Sequence, residues 1–237
     1  MKTTLCDFFG LTISDAEITR ILADKGMEWR PEYHRLDADI RGQPGNHLDE
    51  TTWDIQAYGK HCYAWIKAGT KNANVLFRLA LSRGGQHAQE LLGDYAGVRI
   101  TDGYAAYANL PGAHQICWAH LIRKTRELAR LDSLSDAKHQ HCTEWYGRLC
   151  VIYQAMENYR TQRFNEHQRR RYVDRLLLQM RDLCQPHALD PHKLQNLKSH
   201  MLDYEHALFT CLTHDGIPSD NNRAERDLRP LVIKRKK

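Results

Sequence analysis

The stretch HLDETTW (47–53) decides how this chain folds. Leu48 is a candidate buried residue and Asp49 follows it directly. Thr51, Thr52, Trp53 and Ile55 are residue types that strands favour. After a turn near Gly59-Lys60 the same character resumes in Cys62-Tyr63-Ala64-Trp65-Ile66. Two such runs joined by a short turn predict a β-hairpin that carries Asp49 on its first strand.

Downstream, Val75 to Leu81 is a largely apolar run that suits a third, central strand, ended by Gly84-Gly85. Gln86 to Tyr95 predicts a short helix with Ala88, Leu91 and Leu92 turned inward. Val98-Arg99-Ile100-Thr101 predicts a strand that delivers Asp102, and Gly103 follows where a strand should stop. Ile116 to Leu131 reads as a short strand running into a basic helix. Strands mixed with helices in this order predict an α/β layer with an antiparallel start over residues 46–132.

Upstream, residues 1–45 predict a helical lead-in. Ser14-Asp15-Ala16-Glu17 is a capping box, Ile18, Ile21 and Leu22 give an apolar face, and Gly26 is a stop signal. One good helix is legible here, which favours a packing arm over a helix-turn-helix.

Residues 133–213 change period. Trp145, Leu149, Ile152, Met156 and Tyr159 recur at spacings of three and four. So do Tyr172, Leu176, Met180 and Leu183, and then Leu194, Leu197, Met201, Tyr204 and Leu208. These are three amphipathic helices, broken between the last two by Pro186 and Pro191. Their opposite faces carry Arg160, Arg163 and Arg169-Arg170-Arg171, either a solvated surface or a grip on DNA phosphate.

Residues 214–237 predict a return to the core. Ser219-Asp220-Asn221-Asn222 is a cap-rich helix entry, Glu225 sits in the early turns, and Arg229 shares its face four residues on. Pro230 is expected to end the helix, before the basic tail 234–237.

Three carboxylates stand out: Asp49, Asp102 and Glu225. Carboxylates at adjacent strand ends can converge on one ion, and hard cations such as Mg²⁺ take oxygen ligands. Two aspartates and a late glutamate are what a polynucleotidyl transferase uses to hold two divalent ions against a phosphodiester. Asp49 and Asp102 are 53 residues apart (102 − 49), room for strands and a helix. Asp102 and Glu225 are 123 apart (225 − 102), more than a minimal core needs, so the three helices read as an insertion.

The chain resembles the insertion-sequence 66 family of DDE transposases from about residue 12 onward. The stretches that carry the resemblance are LDETTW, YAWIKAGT, SRGGQHAQELLGDYAGVRITDGYAAY, ICWAHLIRKTRELA and DGIPSDNNRAERDLRPLVIKRK, in the family's order. ITDGYAAY followed by CWAHLIRK is a specific pairing, and DNNRAER followed by LRPL more so. The resemblance implies a mixed α/β, RNase H-like sheet flanked by helices and interrupted by a helical insertion. It implies Asp49, Asp102 and Glu225 as catalytic metal ligands, with two Mg²⁺ or Mn²⁺ ions. The implied activity is DNA cleavage and strand transfer on transposon ends and target, in a homo-oligomer. The family's proteins are roughly twice as long, so the chain is read as a catalytic-domain fragment or truncated copy. The alternative is a non-catalytic relic that binds DNA or full-length transposase.

Carboxylates that face DNA need cations nearby to bring phosphate in. Arg123 and Lys124 on one helix, Arg223, Arg226 and Arg229 around Glu225, and Lys234 are the candidates. CWAH puts His120 beside the metal site or in the core. Tyr104 and Tyr107 suit base stacking or packing, with packing favoured for Tyr107. Cys117, His120, His139, His141 and Cys142 look superficially like a zinc set, but a helix separates the two halves.

Composition sets bounds. A chain of 237 residues with formal net charge +5 is mildly basic, which permits a nucleic-acid partner without demanding one. Seven scattered cysteines suggest no disulfide framework and fit a reducing cytoplasm. No run reaches the roughly 20 apolar residues of a membrane span, and MKTTLCDFFG is not expected to be a signal peptide. No phosphate-cradling P-loop is present, so no nucleotide cofactor is expected.

Overall fold

A computed structural model describes residues 2–55, 60–162 and 164–235. Gly59 of the expected hairpin turn, Arg163, and Lys236-Lys237 of the basic tail lie outside the described residues. The chain divides into two compact units, Met1–Asp39 and Ile40–Lys237.

The first unit is helical: α1 (Lys2–Phe9), α2 (Asp15–Glu28) and the greater part of α3 (Arg30–Arg41). The one expected helix is therefore joined by two more. Ser14 Oγ accepts from the Glu17 amide at 3.0 Å, the first half of the capping box. Gly26 does not stop α2. Nothing there needs a left-handed residue, and the helix runs on to Glu28, with Trp29 as its C-cap.

The second unit begins with β1 (Gly45–Ile55), β2 (Lys60–Gly69) and β3 (Val75–Ala80), then α4 (Gly85–Leu92), β4 (Val98–Thr101) and β5 (His114–Ile116). The sheet order is β3-β2-β1-β4-β5. β2 is antiparallel to β1 and to β3, whereas β4 runs parallel to β1 and β5 parallel to β4. The architecture is mixed α/β. β3 is an edge strand rather than a central one, and Phe77 and Leu79 stay exposed on it. An apolar run by itself does not report which neighbours a strand finds. Gly84 sits at the N-cap of α4 instead of ending β3.

Alternation along β1 sends Leu48 and Glu50 to one face and His47 and Asp49 to the other. Leu48 joins Trp65, Ala88, Leu91, Leu92 and Tyr107 in a core closed by α4. On the second face Ile66, opposite Asp49 in the ladder, packs with Ala224 and Leu228 of the last helix.

The chain continues through α5 (Trp118–Leu128), α6 (Asp136–Arg160), α7 (Glu166–Leu183), α8 (His192–Asp203) and the short α9 (Glu205–Leu208) and α10 (Thr210–Thr213). Their apolar stripes do not form a separate core: Trp145, Leu149, Met156, Met180 and Met201 share one cluster with Val98, Ile100 and Ile116 of the sheet. The end of the helical stretch, at 208–211, also packs along β5. Gln115 Nε2 donates to the Leu208 carbonyl (3.2 Å), its Oε1 accepts from the Cys211 amide (2.6 Å), and Thr210 Oγ1 donates to the His114 carbonyl (2.6 Å).

The arginines of the helical stretch are largely paired: Arg160 with Glu157, Arg169 with Asp215 and Arg170 with Glu166. Inside it, Lys198 Nζ meets both oxygens of Asp190 (2.9 and 2.7 Å), and His141 Nε2 stands 2.8 Å from the same carboxylate. No helix among the described residues is long and apolar enough to cross a membrane. The cysteines are free thiols.

The last helix, α11 (Asn222–Arg235), passes through Pro230. Proline there removes one backbone donor to the Arg226 carbonyl. The helix continues because Leu228 and the partly buried Leu231 hold it on the sheet.

Candidate active site

Asp49 is carried by β1, and Asp102 lies one residue beyond β4, its parallel neighbour. Asp102 is oriented locally: its Oδ1 accepts from the Tyr104 amide at 2.8 Å, and Gly103 between them has φ +83°. An Asx turn of this kind suits Asp-Gly, because glycine takes the positive φ without steric cost.

Glu225 comes from the first turn of α11. What sets that helix against β1 is Asn221, which is fully buried. Its Nδ2 donates to the Leu48 carbonyl (2.9 Å), its Oδ1 lies 2.9 Å from His47 Nδ1, and its amide donates to Cys117 Sγ (3.1 Å). Asn221 belongs to the cap-rich entry 219–222. The side chain is spent on the sheet instead, while Asp220 Oδ1 takes the Asn222 amide (3.0 Å). One residue thus ties α11, β1 and the start of α5 together.

The electrostatics follow from this closeness. Burial pushes the Asp49 carboxyl up to about 8, and the charges of Glu50, Asp102 and Glu225 add to the push. Glu225 Oε1 is buried and accepts no hydrogen bond, although His120 Nε2 stands 3.3 Å away. Arg123 reaches the other oxygen, Oε2, at 3.3 Å. Burial lowers the His120 pKa against the pull of Glu225 and Asp102, so the ring is held neutral. Its Nδ1 is buried without a partner as well.

An unpaired buried carboxylate oxygen among mutually repelling acids costs energy unless a cation offsets it. The donor set is mostly oxygen, as a hard divalent ion requires, so Asp49, Asp102 and Glu225 fit such an ion. The trio is open: among the described residues, only His141, His187 and Asp190 bring ligand atoms of three residues all within 4.8 Å of one another. In that group Asp190 is already neutralised by Lys198. Cys117 and His120 join no zinc-like set with His139, His141 and Cys142.

The candidate phosphate contacts divide. Arg226, Arg229, Lys124 and Lys234 are exposed. Arg123 is engaged with Glu225, and Arg223 is bound to Asp227 and to the Asn72 carbonyl (2.9 Å). Tyr107 is fully buried and edge-on to Trp65.

Three neighbours escaped the sequence reading. Glu50, on the opposite face from Asp49, receives Arg83 Nε (2.7 Å) and the Tyr107 hydroxyl. Arg83 in turn lies 3.9 Å over the Tyr104 ring. The adjacency of Asp49 and Glu50 was the available signal, because strand alternation sends them to different layers. His200 of α8 lies against Gly103: a Cβ built there would stand 3.0 Å from His200 Nε2. No local pattern marks His200 among the polar residues of its helix. His47, third of the neighbours, was read only as the start of a motif.

The sequence model of the family described as "Transposase IS66 family" matches residues 1–237. A protein of Sinorhizobium fredii (strain NBRC 101917 / NGR234), named "Uncharacterized protein y4jD", is 28% identical over 257 aligned positions, which cover 96% of this chain and 49% of that protein. The chain spans about half the length of this curated relative.

Proposed function

The chain belongs to the IS66 transposase family, and from that premise we propose that Ile40–Lys237 forms an RNase H-like catalytic unit for DNA strand cleavage and strand transfer. The order β3-β2-β1-β4-β5, with only β2 reversed against β1, β4 and β5 among its neighbours, supports that fold assignment. In this reading residues 133–213 are the helical insertion, and Met1–Asp39 belongs to the lead-in.

The observation that carries the proposal is the placement of Asp49 on β1 and Asp102 just past its parallel neighbour β4, with Glu225 Oε1 buried and accepting no hydrogen bond. Asp49, Asp102 and Glu225 would hold divalent ions, Mg²⁺ or Mn²⁺. Ions bound there supply polarisation of phosphodiester oxygens and a more acidic water. The residues of the chain do the rest. Asn221 fixes Glu225 against β1. Arg123 and neutral His120 flank Glu225, where an imidazole can hold a water or a phosphate oxygen. Lys124, Arg226, Arg229 and Lys234 draw in the DNA backbone.

Water adds to phosphorus at a transposon end and the 3′-oxygen leaves as a hydroxyl. That hydroxyl then adds to a phosphorus of target DNA, displacing a second 3′-oxygen. Two ends and one target call for a homo-oligomer, acting in the cytoplasm. The test is nicking of supercoiled plasmid in Mg²⁺ or Mn²⁺, with Asp102→Asn beside the native chain. Native nicking that the variant lacks is the expected result. DNA binding without any nicking would replace this reading with the non-catalytic one.

A further inference from the structure

A groove lies between α5 and α8, and of its lining only Lys124 enters the account above. Its volume is about 440 Å³, within the roughly 300–1,000 Å³ of small-molecule sites. The buried Leu128 and Leu197, with Leu131, make an apolar floor. Exposed Lys124 and Lys193 line it from opposite helices, and Asn196, whose Nδ2 lies 3.3 Å from His192 Nδ1, adds an amide. Glu127 is the one carboxylate in the lining.

The groove adjoins the candidate site at His200. This residue lines the groove, and its Nε2 would stand 3.0 Å from a Cβ added at Gly103, the residue after Asp102. Burial and the Lys124 charge lower the His200 pKa.

We propose that this groove receives one nucleotide of the substrate DNA turned out of its helix, with the base on the leucines and the flanking phosphates on Lys124 and Lys193. The inference rests on the reading that Asp102 faces a phosphodiester. An apolar floor alone would suit many ligands. An apolar floor with two lining cations, opening beside carboxylates that act on a phosphodiester, matches the alternation of base and phosphate along one strand. A base edge needs a donor and an acceptor, and the Asn196 amide has both. Turning out one base costs a few kcal/mol of stacking, which contacts in the pocket must repay. It would also fix the register of the scissile bond, because a strand with one base seated cannot slide.

The experiment compares a perfect duplex with the same duplex carrying a single-base bulge of 2-aminopurine, using the full chain in Ca²⁺. The extrahelical base has already lost its stacking. The native protein is expected to bind the bulged duplex about tenfold tighter, as a saving of ~1.4 kcal/mol implies, with a rise in 2-aminopurine emission. Asn196→Trp, at an exposed position, should fill the groove, bring the affinity ratio to about one and abolish the rise. Lys193→Glu should lower the ratio without filling anything, which guards against a misfolded tryptophan variant. Equal affinity for both duplexes in the native protein would overturn the inference and leave the proposed function standing. So would a preference that survives both substitutions. Absence of any DNA binding would overturn both.

Discussion

Asp49 on β1 and Asp102, one residue past β4, are separated by the same offset that sets the register of these two parallel strands. β1 pairs with β4 at an offset of 53 (Gly45 with Val98, 98 − 45), and the two aspartates are 53 residues apart (102 − 49). By that offset and strand alternation, Asp49 follows His47 and Asp102 follows Ile100 by two residues each, which directs both carboxylates toward one face. Asp102→Asn keeps shape and removes charge. It is expected to abolish strand cleavage and leave duplex binding equal or tighter, measured by nicking and by anisotropy on the same preparation. Full cleavage by the variant would exclude Asp102 as a metal ligand.

Arg226 is exposed on the helix that carries Glu225, and its Nε is 3.9 Å from Asp227. Arg226→Ala is expected to weaken binding across DNA sequences and to reduce the salt dependence of log K by about one ion's worth. An unchanged slope would remove Arg226 from the phosphate contacts.

Asn221→Ala should be among the costliest single changes at the site. It leaves the buried Leu48 carbonyl and the His47 ring without their partner. A loss of about 2–4 kcal/mol is expected for several buried hydrogen-bonding groups left unmade. Urea unfolding gives the number. A loss below about 0.5 kcal/mol would mean that α11 is held by its apolar face alone.

Gly103→Ala meets two obstacles: the φ of +83° and the approach of His200 Nε2 to 3.0 Å from the new Cβ. A destabilisation of about 1–2 kcal/mol is expected from the backbone alone. The double variant with His200→Ala should recover only the steric part. Complete recovery would show that the φ carries no strain.

His114 makes stability pH-dependent. It is buried beside Thr101 Oγ1 (2.9 Å), and burial lowers its pKa to about 3, with Arg99 adding to the effect. The folded-state pKa is below the unfolded value near 6.5, so the unfolded chain binds the extra proton first. Stability from this group is full above pH 6.5 and falls as pH drops from there toward 3, at up to ~1.4 kcal/mol per unit. Urea titrations at pH 7.5, 6 and 5 should show the slope, and His114→Gln should remove about one proton's share of it. An unaltered slope would assign the effect to other buried histidines.

Much of this was legible because strands and turns write themselves locally. HLDETTW and ITDGY each carry an aspartate at a recognisable strand position, and the period of three and four marked the helices over 136–208. What was not legible depends on partners far away. Asn221 reads as a cap until a carbonyl 173 residues distant comes within reach. Val75–Ala80 is apolar enough for a sheet centre, yet only the pairing leaves it at an edge. Pro230 should break a helix, and packing of Leu228 and Leu231 overrides it. Glu50 looks like a second acid of the site, and strand alternation turns it into the Tyr107–Arg83 layer.

The bond between Asn221 and Leu48 also has a clock in it. On the ribosome Glu225 is added 123 residues after Asp102, roughly 6–25 s later at 5–20 residues per second. Through that interval β1 and β4 have no α11 to close over them, and the trio of acids is incomplete. The helix that brings Glu225 to the sheet is therefore made well after the strands it closes over, and the three carboxylates can meet only once α11 has been synthesised.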